Sequence, residues 1–215
     1  MNQNLNARIK GLYAITPDES DTAELLHRVR LALRGGARVL QYRNKAADAA
    51  LRLKQAQALR ELAREFGAQL IVNDDVALAQ QVEADGVHLG GEDGSIAEAR
   101  ALLGGGRLIG VSCYNRLVLA QEAVWQGADY VAFGSFFAST VKPQAVAATP
   151  ELLQQARREL AVPIVAIGGI TAQNGTQLIE VGADALAVIS AVFSAPDVEG
   201  AAREFYNLFE QGKSV

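Results

Sequence analysis

Cysteine is almost absent. A single residue, Cys113, in 215 excludes an internal disulfide and fits a reducing compartment. Histidine is nearly as scarce: His27 and His88 stand far apart in the chain, with no further histidine to complete a zinc site. No apolar run approaches the roughly 18 residues of a membrane span. Residues 1–10 are polar and lack the apolar core of a signal peptide. Basic clusters are missing as well. Twenty Lys and Arg against 24 Asp and Glu leave a net charge of −4 and a pI near 5.3, which argues against a nucleic-acid partner. No serine is accompanied by the His and Asp of a hydrolase triad. These absences describe a cytoplasmic protein with no membrane or nucleic-acid partner.

What remains is half apolar, enough to build one large domain and short for two. Two textures alternate. Short apolar runs read as strands at Leu12–Ile15, Val39–Tyr42, Leu70–Val72, Gly86–Leu89, Leu108–Val111, Tyr130–Phe133, Ile164–Ile167 and Leu186–Ile189. Between them lie Ala-, Leu-, Glu- and Arg-rich stretches with helical spacing, such as Asp21–Leu33, Asp48–Phe66, Asn115–Trp125, Pro150–Leu160 and Val198–Phe209. The helices after Asp75 and over 174–180 are expected to be short. Near-continuous apolar strands are those of a parallel sheet buried on both faces. A loose repeat marks the junctions, with Gly36-Ala37, Gly67-Ala68, Gly127-Ala128 and Gly182-Ala183 each standing between a helix and a strand. Eight such units predict a single (β/α)8 TIM barrel over residues 1–215, its core about 11–193 and a C-terminal helix about 198–211. A doubly wound sheet is the alternative, but no Gly-x-Gly-x-x-Gly follows the first strand to make a dinucleotide site.

In such a barrel the chemistry collects at the C-terminal ends of the strands. After strand 2, alternation puts Gln41, Arg43 and Lys45 on one side, two cations and an amide suited to a polyanion. After strand 3 come Asn73, Asp74 and Asp75, and after strand 4 Glu92 and Asp93. Carboxylates on adjacent strand ends can share a hard cation such as Mg2+, although one of Asp74 and Asp75 is expected to cap the next helix. Ser112 follows strand 5, and Ser139, Thr140, Val141 and Lys142 form a hydroxyl-rich loop after strand 6. Gly168-Gly169 ends strand 7 and Ile189-Ser190 ends strand 8, the usual phosphate site of this fold. Cys113 reads as a small buried apolar group, His27 as a surface residue, His88 as structural at the barrel mouth, and Trp125 as core packing.

Together, Gln41–Lys45, Asn73-Asp74-Asp75, Gly86–Gly90, Asp93, Gly110-Val111-Ser112, Lys142-Pro143, Ala166–Ile170 and Val188-Ile189-Ser190 resemble the thiamine-phosphate synthase family, from about Gly11 to about Phe193. The resemblance implies a transferase that joins a pyrimidine diphosphate to a thiazole phosphate, two phosphorylated small-molecule substrates, and releases pyrophosphate. It implies that Gln41, Arg43, Lys45, Asn73, Ser112 and Lys142 hold the pyrimidine diphosphate, with Arg43, Lys45 and Lys142 acting on the leaving group. It assigns Asp74 and Asp93 to Mg2+, and Ser139, Val141, Gly169, Ile189 and Ser190 to the thiazole phosphate. Val141 departs from the family, which usually carries Thr or Ser there. A thiazole tautomerase relative, which uses no pyrimidine diphosphate, leaves the basic segment Gln41–Lys45 unexplained. A sugar-phosphate epimerase or isomerase leaves the Ser139–Lys142 loop unexplained. A catalytically silent phosphate-binding barrel is the remaining alternative.

Overall fold

The computed structural model describes residues 8–90, 94–138 and 147–211. The strands are β1 Gly11–Ile15, β2 Val39–Tyr42, β3 Gln69–Asn73, β4 Gly86–Leu89, β5 Leu108–Tyr114, β6 Tyr130–Phe133, β7 Ile164–Ile167 and β8 Ala185–Val188. They pair in parallel in chain order, and β8 returns to β1, so the sheet closes into an eight-stranded barrel. The helices among the described residues are α1 Thr22–Arg34, α2 Ala49–Glu65, α3 Val76–Gln81, α4 Ile96–Leu103, α5 Leu117–Trp125, α6 Pro150–Glu159, α7 Ala172–Glu180, α8 Ser190–Phe193 and α9 Val198–Gln211. None of the described helices is long and apolar enough to cross a membrane.

The apolar strands are explained by two cores divided by residue parity. Leu12, Ala14, Leu40, Leu70, Val72, Ile109, Val131, Ile164 and Ala166 face the helices. Their neighbours Tyr13, Ile15, Val39, Ile71, Leu108, Tyr130 and Val165 fill the lumen. Successive side chains of a strand point to opposite faces, and in a closed barrel both faces are dry. The lumen is lined mainly by apolar side chains, and Gln41 and His88 are buried near its C-terminal end.

The glycine–alanine repeat has two parts in the structure. Gly36, Gly67, Gly127 and Gly182 all adopt positive φ, the left-handed turn that ends a helix. Two residues after Gly127 and Gly182, and two residues after Glu83, which takes the same left-handed turn (φ 52°), an aspartate ties the strand to its neighbourhood. Asp129 accepts hydrogen bonds from the Ile109 amide at 2.8 Å and from Arg100 at 2.5 Å. Asp184 does the same for Ile164 and Arg157, each at 2.8 Å, and Asp85 for Leu70 at 2.8 Å and Arg60 at 2.5 Å. The same latch thus closes the N-terminal end of the barrel three times.

Some boundaries differ from expectation. Asp21 and Asp48 are N-caps preceding α1 and α2 rather than their first residues, each accepting a backbone amide at 2.8 Å. β8 stops at Val188, because Ile189 leaves the extended region (φ −112°, ψ −83°) to begin the short α8. β5 continues to Tyr114, so α5 starts later than Asn115. Trp125 is the clearest correction. It is 87% exposed at the end of α5, where Ala120 and Ala123 supply the buried face. His27 is exposed and Cys113 buried, as the sequence suggests.

Candidate active site at the barrel mouth

The segment after β2 is held rigidly by neutral side chains. The buried Thr16 hydroxyl donates to the Arg43 carbonyl and accepts from the Arg43 amide, both at 2.9 Å. Asn44 donates to the Glu19 carbonyl at 2.7 Å and to Gln55 at 3.0 Å. These bonds turn the chain so that Arg43 and Lys45 flank one cleft with Asn73, Asp74, Asp75 and Arg52. Arg52, on α2, is a third cation there that sequence reading missed, since helical spacing alone does not reveal which face meets the mouth. Asp18, in the loop after β1, accepts the Lys45 amide at 2.8 Å and lies 3.5 Å from the Arg43 guanidinium. The expected strand alternation holds only for Gln41, because β2 ends at Tyr42 and both cations stand beyond it.

The two aspartates after β3 divide their work. Asp75 caps α3, accepting the Leu78 amide at 2.9 Å. Asp74 takes a left-handed backbone (φ 62°), one of the few non-glycine residues to do so. That turn brings its carboxylate to the cleft, 2.6 Å from the Asn73 amide nitrogen, which donates to it, and 3.6 Å from the Lys45 ammonium. Outside glycine the left-handed region is sparsely used, and aspartate is among the residues that enter it most readily.

Beneath the cleft lies a polar chain that was not anticipated. Gln41 Nε2 donates to the Tyr13 hydroxyl at 2.9 Å, the Tyr13 and Tyr130 hydroxyls are 2.8 Å apart, Tyr130 is 3.1 Å from His88 Nδ1, and His88 Nε2 is 2.9 Å from Ser112 Oγ. It crosses the lumen from β2 through β1, β6 and β4 to β5. Burial pushes the His88 pKa down to about 4, so the ring is neutral at pH 7, and burial raises both tyrosines. Gly110 has no side chain because the Tyr130 ring occupies that space. A tyrosine in phase with lumen residues of β1, another in phase on β6, and a glycine between them on β5 were the available signals.

On the opposite side, Gly169 also takes a left-handed backbone (φ 62°) and lies against the backbone of Phe137 and Ala138, where a Cβ would not fit. The Phe137 amide donates to the Gly168 carbonyl at 3.0 Å, so the segment after β6 runs along the end of β7. Ile189 and Ser190 begin α8, whose first amides have no partner within the helix. Asp93, Ser139, Val141 and Lys142 lie outside the described residues. The structure thus brings Arg43, Lys45, Asn73 and Asp74 into one cleft, joins Gln41 to Ser112 through the buried chain across the lumen, and places Gly169, Ile189 and Ser190 after β7 and β8.

A (β/α)8 barrel with cations and a carboxylate gathered at its C-terminal rim defines a class of enzymes acting on phosphorylated small molecules. The family model described as thiamine monophosphate synthase matches residues 12–192. A thiamine-phosphate synthase of Methylobacillus flagellatus is 55% identical over 201 residues, covering 94% of this chain and 96% of that protein. One of Acidithiobacillus ferrooxidans is 56% identical over 209 residues, covering 95% and 96% respectively. Among solved structures, a thiamine phosphate pyrophosphorylase from Pyrococcus furiosus superposes with a TM-score of 0.84 at 36% identity, covering 97% of this chain and 98% of that one. The chain belongs to the thiamine monophosphate synthase family.

Proposed function

We propose that the protein condenses 4-amino-2-methyl-5-(diphosphooxymethyl)pyrimidine with 4-methyl-5-(2-phosphoethyl)thiazole, forming thiamine phosphate and releasing pyrophosphate. The observation that carries this reading is the cleft between β2 and β3, where Arg43, Lys45 and Arg52 stand beside Asn73 and Asp74. Cations on a rigid rim suit a diphosphate, and a carboxylate among them suits the metal ion that accompanies one.

Asp74 is spared from helix capping by Asp75, and its oxygen is a hard donor beside the Asn73 amide. These residues fit Mg2+, which would be held by Asp74 and Asp93 and completed by diphosphate oxygens and water. When bound, the ion would neutralise charge on the diphosphate. Arg43, Lys45 and Lys142 would stabilise the departing pyrophosphate as the methylene C–O bond breaks and its electron pair leaves with oxygen. The aminopyrimidine stabilises the resulting cation, and the thiazole nitrogen lone pair forms the new C–N bond. That nitrogen carries no proton, so no general base is required. This suits a mouth whose one histidine among the described residues is neutral and committed to the lumen. Gln41, Asn73 and Ser112 would orient the pyrimidine diphosphate. Ser139 and Val141 after β6, with Gly169, Ile189 and Ser190 at the backbone amides after β7 and β8, would hold the thiazole phosphate. Catalysis is then positioning plus electrostatic stabilisation of a leaving group.

The direct test is turnover with both substrates and Mg2+. Asp74→Asn is expected to lower kcat on the order of 10²-fold while the melting temperature stays close to that of the parent. Absence of thiamine phosphate with the parent protein overturns the function, and parental activity in Asp74→Asn overturns the metal assignment.

A further inference from the structure

The buried chain from Gln41 to Ser112 has a direction. Each phenol has one proton to give, and buried polar groups rarely leave one unused. Tyr13 accepts from Gln41 Nε2 at 2.9 Å, so its proton goes to Tyr130, 2.8 Å away. Tyr130 then gives its own proton to His88 Nδ1, at 3.1 Å. An imidazole that accepts at Nδ1 and is neutral carries its proton on Nε2, which donates to Ser112 Oγ at 2.9 Å. The Ser112 hydroxyl proton is thereby left over for the mouth. At the other end, the Gln41 amide spends an N–H inward and keeps its carbonyl oxygen for a ligand.

We propose that Tyr13, Tyr130 and His88 are positioning residues that set Gln41 as a hydrogen-bond acceptor and Ser112 as a donor for the pyrimidine diphosphate. The inference rests on the function proposed above and adds the groups that confer polarity on its binding pocket. The match is chemical. The exocyclic amine of an aminopyrimidine needs an acceptor, and a diphosphate oxygen can only accept, so it needs a donor. Reversing the chain would swap both ends at once: Gln41 would offer N–H and Ser112 only lone pairs. The two contacts are therefore coupled, and the histidine tautomer reports which polarity is present. Packing alone does not demand this arrangement. The Tyr13 and Tyr130 ring centroids are 6.1 Å apart and those of His88 and Tyr130 5.6 Å, contacts that phenylalanine at either tyrosine would also make.

The test is the long-range proton–nitrogen spectrum of the full-length protein labelled with [15N]histidine, in which only His27 and His88 contribute. His88 is expected as the Nε2–H tautomer before substrate is added. The Nδ1–H tautomer would overturn the assignment. The second arm is Tyr130→Phe, which keeps the ring and cuts the chain. It is expected to mix the His88 tautomers and raise KM for the pyrimidine diphosphate about tenfold, the worth of roughly one hydrogen bond to a charged group, with KM for the thiazole phosphate within twofold. An unchanged tautomer together with an unchanged pyrimidine KM overturns the role, and a melting curve like that of the parent excludes misfolding as the cause of a change. The tautomer is read without turnover, so loss of the function reading and loss of the polarity reading give different results.

Discussion

Cys113 shows how a single residue's environment sets its chemistry. It lies on the helix-facing side of β5, packed in the outer core, and its thiol donates weakly to the Val111 carbonyl at 3.6 Å. Burial pushes its pKa up to about 12, so the thiolate needed for alkylation is suppressed in the folded state. Iodoacetamide is expected to label it only as fast as the protein unfolds, and rapid labelling under native conditions would contradict the burial. The sign of the pH effect follows. The native state holds this proton more tightly than the unfolded chain, whose thiol titrates near its ordinary value. The corresponding stability is complete below about pH 9 and is lost as pH rises toward about 12. Denaturant melts across that window are the measurement.

At the scale of elements, the latches at the N-terminal end of the barrel carry the argument. The Asp129 carboxylate is only 9% exposed and serves both the start of β5 and Arg100 on α4. Asp129→Asn keeps the shape but weakens both bonds and leaves a guanidinium without its counter-charge. The expected cost is about 1–3 kcal/mol in urea unfolding. By contrast, removing Glu61 from its exposed pair with Arg64 is expected to cost less than about 0.5 kcal/mol. Equal effects would mean that the latch contributes no more than a surface ion pair. These latches sit at the end of the barrel away from the mouth, so Asp129→Asn should leave the substrate KM values near parental.

For the whole molecule, the sharpest expectation concerns the order in which metal and substrate bind. Among the described residues no group of three or more His, Cys, Asp or Glu side chains is arranged to hold a metal. Two carboxylates leave most of an Mg2+ coordination sphere to water and phosphate. Millimolar Mg2+ alone is therefore expected to move the melting temperature by less than about 1 °C, whereas Mg2+ with the pyrimidine diphosphate raises it by several degrees through preferential binding to the native state. A comparable rise with Mg2+ alone would show a preformed metal site and contradict the two-carboxylate reading.

Much of this protein was decided by local chemistry that a sequence displays. Strand parity and apolar runs specify eight buried strands, and glycine ends the helices before β2, β3, β6 and β8, because side-chain period and φ preference are properties of adjacent residues. Asp74 and Asp75 could be read as one helix cap and one carboxylate spared from capping for the same reason. Which one did which was settled only by the tertiary structure, where the left-handed backbone at Asp74 turns one carboxylate toward Lys45 and leaves the other to α3. The exposure of Trp125 was likewise invisible, since a helix end can face either neighbours or water and only packing selects between them. The chain from Gln41 to Ser112 joins residues on five strands that are separated by up to 117 positions along the sequence between Tyr13 and Tyr130. No local pattern encodes such a contact. Barrel closure does, by bringing the inward side chains of distant strands into one dry layer where each polar group must find its partner.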